Sequence, residues 1–477
     1  MDALPLSVIA EFATGVIATG EPNALITRIS TDSRTIQPGD LFVPIRGDNF
    51  DGHRFVAQAA ERGAAGALVE EDWSGNIPDR FALIRIADAL AGYQQIAASY
   101  RKSLRLKVIA ITGSNGKTST KDFVAAALAH RFRVTKTEGN FNNHVGLPKT
   151  ILEATSEDEI AVWELGMNHP GEIASLAKIA APEVAIITNI GIAHIEFMGS
   201  REAIALEKGA LAEIVGSDGT VILNADDPFS EAISRRTRAK TIFAGIKAGS
   251  LRAEDIRQSA EGSQFTVLEG AHRCRAQLPV PGLHMVQNAM LAIAAGRVFG
   301  LSLEDCAAGL ASTPLTKARV QLREIRGVQF LDDSYNANPE SMKAALRTLV
   351  ELDAEGQRIA VLGQMSELGV ESQHGHSAVG QLAAELRIDH LITVGALGAA
   401  ISRAASSAGL KKARNVETPS EAAEILSDIA EVGDLVLVKG SRSARMERVL
   451  EEFSNSDQKS RGREGFRSQQ SAISTAP

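Results

Sequence analysis

The sequence is poor in cysteine, aromatic residues, long apolar runs and surplus positive charge, and these shortages narrow what the protein can be. Cys274 and Cys306 are the only thiols in 477 residues. Two cysteines build neither a disulfide framework nor a cysteine-rich metal site, and they fit a reducing compartment. No apolar run reaches the roughly 18 residues a membrane helix needs, so no membrane span is expected. The stretch from Met1 to Gly20 lacks a basic segment and carries Asp2 and Glu11, a poor signal peptide. A cytoplasmic protein is therefore expected. Lys and Arg total 50 against 58 Asp and Glu, a net charge of −8. That balance argues against nucleic-acid binding through bulk charge and leaves room for a local phosphate pocket.

Aromatic residues make up only 4%, glycines number 41, and short Val, Ile and Leu runs alternate with alanine-rich helical stretches. This pattern predicts an α/β fold of buried, mostly parallel strands covered by helices. A chain of this length divides into about three domains at roughly 150 residues each. Composition places them at 1–103, 104–314 and 315–453, with a disordered tail at 454–477 where Ser, Gln, Gly and Arg dominate. Strands are expected at Val108–Thr112, Ala161–Glu164, Val184–Asn189 and Val221–Asn224 in the middle block. In the third block they are expected at Val328–Asp332, Ile359–Leu362, Leu391–Val394 and Leu435–Val438.

The strongest local signal is Thr112-Gly-Ser-Asn-Gly-Lys-Thr-Ser-Thr120, between a β-branched strand and an alanine-rich helix. This is the setting of a phosphate-binding loop. Gly113 and Gly116 let the backbone curl around Ser114 and Asn115, so that amides face an anion. The helix N-terminus adds partial positive charge, Lys117 a full one, and the Thr118 hydroxyl is a magnesium ligand type. Ile111 stands where the longer Walker pattern requires glycine, so the match is to the short form. Glu164 ends a strand, where open α/β sheets place ligands, and an ordinary solvated carboxylate fits that position equally well. By themselves, His194 reads as a turn residue and Lys208 as a solvated helix lysine.

Together these segments resemble the Mur ligase family, the ATP-dependent amide ligases of peptidoglycan synthesis. The resemblance runs to about residue 452. It is carried by the phosphate loop, Gly139-Asn-Phe-Asn-Asn143 with Gly146-Leu-Pro148, Trp163-Glu-Leu-Gly-Met-Asn168, the series Asn189, His194 and Lys208, and Gly282-Leu-His-Met-Val-Gln-Asn288. Asp332-Asp-Ser-Tyr-Asn-Ala-Asn-Pro339 points to the branch that adds D-alanyl-D-alanine. Thr31-Asp-Ser-Arg34, Pro38-Gly-Asp-Leu-Phe42 and Asp51-Gly-His53 are similar to the family's UDP-sugar domain.

The resemblance implies a central P-loop domain flanked by an N-terminal UDP-muramoyl-peptide domain and a C-terminal Rossmann-like domain. ATP and Mg²⁺ are the implied cofactors, with UDP-N-acetylmuramoyl-tripeptide and D-alanyl-D-alanine as partners and a monomer as the working state. Gly113 to Ser119, with Lys117 and Thr118 foremost, would hold the phosphates. Thr118, Glu164, His194 and a carbamylated Lys208 would serve magnesium. Asn143 and Asn288 would contact the adenine or position its loop, Arg319 would lie at the phosphates, and Asp333 at the ribose or the third-domain loop. Ser33, Arg34, Asn140, Tyr335, Asn336 and Asn338 would meet the substrates. Gln364, Glu367, His374, Lys439 and Ser441 are further candidates for the dipeptide site, and ordinary loop residues otherwise. Domain closure about residues 103 and 314 would shield an acyl phosphate from water. Competing readings are a sibling ligase adding a single amino acid, a P-loop NTPase or kinase, and a non-catalytic nucleotide-binding module.

Overall fold

The computed structural model describes residues 1–47 and 49–455, organised around three β-sheets flanked by helices. The first sheet orders its strands Val16–Thr19, Ala82–Ile86, Gly66–Glu70, Asp40–Phe42 and Arg28–Ser30. The second has nine strands, with Lys107–Thr112 between Ile160–Glu164 and Val184–Ile187. All three are fully buried apart from Lys107, which is why they read as continuous apolar runs. Connections leave Lys107–Thr112 and its neighbours toward opposite sides of the sheet. The carboxyl end of that strand is therefore a switch point, where ligands bind in open sheets.

Beyond Lys240–Gly245 the same sheet continues as an antiparallel meander, Leu251–Ser259, Gly262–Glu269 and His272–Leu278. These strands lie outside those expected from apolar runs. They alternate buried and exposed residues rather than forming apolar runs. The third sheet orders Gln321–Ile325, Val328–Asp333, Leu435–Lys439, Arg358–Gly363, His390–Val394 and Ala413–Val416, parallel except at its first strand. Asp333 and Lys439 end neighbouring strands in register, so both side chains arrive at the same sheet edge.

Residues 447–455 are helical, and Phe453 packs edge-on against Phe330 at 5.1 Å between ring centroids. The rest of the expected tail, 456–477, lies outside the described residues.

The two junctions differ in chemistry. At the first, the helix Ala89–Ser103 packs on central-domain helices, and one apolar core runs from Leu6 and Tyr93 through to Trp163 and Leu176. Buried Arg101 donates to the carbonyls of Ala180 (3.1 Å) and Ala181 (3.2 Å) and pairs with Glu183 at 3.1 Å. Tyr100 bridges Asp2 and the Ala154 carbonyl. Losing such a buried donor strands acceptors at about 1–3 kcal/mol each, so this seam resists opening. At the second junction the contact of Asn338 with Asn115 lies in the wall of a cavity between the domains, where a ligand can act on it.

Candidate active site

A cavity of about 750 Å³ opens at the carboxyl ends of the central and C-terminal sheets. Its floor is the expected phosphate loop. Gly113 and Gly116 have φ of 150° and 81°, and a Cβ on either would collide with Thr188 or Asn288. The loop is braced from the next strand. Asn115 N–H donates to Asn189 Oδ1 at 3.0 Å, and the Asn115 carbonyl accepts from Thr188 Oγ1 at 2.5 Å. The helix Lys117–Ala129 then starts with its first amides directed at the loop.

Lys117 Nζ donates to the Gly113 carbonyl at 2.8 Å. Burial lowers its pKa, opposed by Glu164 and reinforced by Arg319. Arg319 donates to Thr118 Oγ1 at 3.3 Å and lies over the Tyr335 ring at 4.1 Å, while its Nε is buried without a partner. Two cations thus converge on a loop of inward-facing amides, an arrangement suited to a polyanion.

Glu164 is 1% exposed and accepts from Thr118 Oγ1 at 3.3 Å. Its other oxygen is buried with no hydrogen-bond partner, although Lys121 Nζ stands 3.5 Å away. A hydroxyl beside a carboxylate with an open oxygen is the donor type a hard divalent cation takes. Among the described residues no group of three or more His, Cys, Asp or Glu is assembled for a metal. The fit to magnesium therefore rests on oxygen donors from Thr118 and Glu164, completed by phosphate.

His194 sits in left-handed backbone at φ 62°, with Nδ1 2.6 Å from Glu367 Oε2. The approach does not meet hydrogen-bond geometry, and the contact is an ion pair only when the imidazole is protonated. Lys208 is 1% exposed, not solvated as a lysine on a helix ordinarily is. Burial pushes its pKa well down, Lys117 adds to this and Glu207 opposes it. The adjacent Glu207 accepts from the amides of Gly171 and Ile173, both at 2.8 Å, and so caps the helix Glu172–Ala180.

The C-terminal domain forms the roof. Lys439 Nζ meets Asp333 Oδ2 at 2.5 Å and the Asn336 carbonyl at 2.9 Å. Nearby, burial drives His284 down to about 4, opposed by Asp333 and assisted by Lys439. Asn338 caps the helix Pro339–Glu351 and also donates to Asn115 Oδ1 at 2.7 Å, joining roof to floor. Glu340 accepts from the Ile192 amide at 3.1 Å.

Ser114, Asn115, Gly116, Lys117, Ser119, Asn140, His194, Asn288, Arg319, Asp333, Tyr335, Asn336 and Asn338 all line this cavity. Thr118, Glu164 and Lys208 are buried. Asn143 does not line the cavity. Its Oδ1 accepts from the amides of Val145 and Gly146, at the start of the helix Gly146–Glu153. Ser33 and Arg34 lie in the first domain, bound to Gln58 and Asp32.

His374 is exposed; its neighbour His376 is the buried one, accepting from the Met365 amide at 3.0 Å and steadying the loop that carries Glu367. His376, Glu340, Lys121 and Asp122 carry no mark in the sequence that singles them out. The first was masked by the adjacent His374, and the other three look like ordinary helix-surface charges.

Three family models cover the chain: the Mur ligase family catalytic domain at 25–97, the Mur ligase middle domain at 111–296, and the Mur ligase glutamate ligase domain at 318–442. A Bacillus subtilis (strain 168) protein named UDP-N-acetylmuramoyl-tripeptide--D-alanyl-D-alanine ligase is 39% identical over 93% of this chain and 97% of its own. Its Escherichia coli (strain K12) namesake is 35% identical over 94% and 98%. The crystal structure of MurF from Acinetobacter baumannii superposes with a TM-score of 0.88 at 32% identity, covering 95% of this chain and 99% of that one. MurF ligase from Thermotoga maritima in complex with ADP gives 0.80 at 29% identity, covering 90% and 97%. The phosphate loop, the roof that closes over it and these full-length likenesses agree: this chain belongs to the Mur ligase family.

Proposed function

We propose that the protein joins D-alanyl-D-alanine to UDP-N-acetylmuramoyl-tripeptide with ATP, giving the pentapeptide precursor of peptidoglycan in the cytoplasm. The observation that carries this is the meeting of Lys117, Arg319 and the Tyr335–Asn338 loop in one cavity, on a chain whose full-length relatives bear that ligase's name. The ADP complex of the Thermotoga relative supports an adenine nucleotide as the ligand. The first domain, with Ser33 and Arg34, is the proposed seat of the UDP moiety.

The chemistry begins with two anions, a carboxylate and a triphosphate, so charge neutralisation dominates the first barrier. Lys117 and Arg319 flank the phosphate loop from floor and roof and draw off charge from the transferring phosphoryl group. Thr118 and Glu164, with His194 and carbamylated Lys208, would hold magnesium, which when bound screens phosphate charge and orients the chain. The tripeptide carboxylate oxygen takes the γ-phosphoryl group and ADP leaves. The dipeptide amine then attacks the acyl carbon, and phosphate departs with the former carboxylate oxygen. The roof contacts from Asn338 and Glu340 keep water from the acyl phosphate.

The test is an acceptor panel with purified tripeptide substrate and ATP. Phosphate release is expected to depend on D-alanyl-D-alanine, with a product mass equal to both substrates less water. Single amino acids, diaminopimelate and lysine included, are expected to support at most about 1% of that rate, a gap of roughly 3 kcal/mol. Equal rates with a single amino acid would refute the acceptor assignment. Release needing no amine would instead indicate an NTPase.

A further inference from the structure

We infer that Asp122 is a positioning residue that pins the interdomain linker and thereby delivers Arg319 to the phosphate site. The inference rests on the reading of Arg319 as a phosphate ligand.

Asp122 lies on the second turn of the helix Lys117–Ala129 and is 1% exposed. Its Oδ2 accepts two bonds from Thr316, one from the amide at 3.0 Å and one from the hydroxyl at 2.7 Å. Its Oδ1 pairs with Lys136 Nζ at 2.7 Å, and Lys121 Nζ stands 3.5 Å away. Burial works against the charge, yet Lys121, Lys136 and Thr316 outweigh it and hold the carboxyl below its ordinary range. A buried carboxylate so supplied with donors is a fixed point rather than a mobile surface group.

The register explains its purpose. Thr118 and Asp122 are four residues apart, so they share one face of the helix, about 6 Å apart along its axis. The linker runs back along that face, placing Thr316 on Asp122 and Arg319 on Thr118. Three linker residues span up to about 10 Å, more than the helix demands. The slack is taken up by a left-handed turn at Ala318 (φ 60°), and Val320, directly after Arg319, is left-handed as well (φ 53°). A β-branched residue rarely adopts that conformation and keeps it only where its surroundings enforce it. The Asp122 pin on one side and the Tyr335 ring on the other provide that enforcement.

A double-mutant cycle in the full-length chain distinguishes delivery of Arg319 from mere support of the fold. Thr316→Val is isosteric and removes only the hydroxyl donor; Asp122→Asn weakens the pin from the other side. With Arg319 present, each is expected to weaken binding of a magnesium–ATP analogue by about tenfold, measured by calorimetry. Thr316→Ser restores it. In an Arg319→Ala background the same changes are expected to alter binding less than about twofold, because the group they position is gone. Equal losses in both backgrounds would overturn the inference. Should Asp122→Asn fail to fold, Thr316→Val and its serine rescue carry the test alone. If Arg319→Ala by itself leaves analogue binding intact, the phosphate role of Arg319 falls, and the delivery argument falls with it.

Discussion

Lys117→Met is expected to lower kcat/KM for ATP by on the order of 10³-fold, about 4 kcal/mol of transition-state stabilisation. The ligand-free variant is expected to unfold no more easily than the parent. These two outcomes come from the same fact. Lys117 is half-buried, with its ammonium on the Gly113 carbonyl, and desolvation already lowers its pKa, so the charge is a burden to the empty fold. The burden becomes useful only when a polyphosphate arrives. The thermal shift that ATP produces in the parent should accordingly shrink or vanish in the variant. A variant that loses activity only because it melts earlier would point to a structural lysine.

The second large effect concerns Lys208. Its burial pushes the pKa well down, with Lys117 contributing, which favours the neutral amine that carbon dioxide requires. In the charged form it would be a buried cation beside another cation; as a carbamate it becomes an anion facing Lys117. Depleting carbon dioxide should lower the rate of the parent enzyme, and bicarbonate should restore it. Lys208→Arg keeps the positive charge but cannot form the carbamate, and a loss of about 10²-fold or more, insensitive to bicarbonate, is expected. Acid should oppose modification, since protonation removes the nucleophilic amine. Full activity of Lys208→Arg, or a parent indifferent to carbon dioxide, would leave Lys208 with a packing role only.

Much of this molecule was legible because its site is built from contiguous segments. The run Val108–Thr112 followed by two glycines, a lysine and a threonine gives strand, turn and helix start within ten residues, each demanded by local physics. What stayed hidden depends on partners distant in the chain. Asp122 looks like a solvated charge until Thr316 arrives 194 residues later. Glu207, next to Lys208, finds its partners in the amides of Gly171 and Ile173, 36 and 34 residues away in the chain. His374 and His376 are two residues apart on one helix, and only packing decides which is buried. The strands of the antiparallel meander escaped for a different reason: a half-exposed strand lacks the continuous apolar run that marks the buried parallel ones.

All of these roles presuppose that the tripeptide carboxylate is phosphorylated before the amide forms. Heavy oxygen placed in that carboxylate follows the bond directly. If the carboxylate is phosphorylated, one labelled oxygen per turnover appears in the released inorganic phosphate. Phosphate free of label, with all the heavy oxygen left in the peptide product or lost to water, would contradict it.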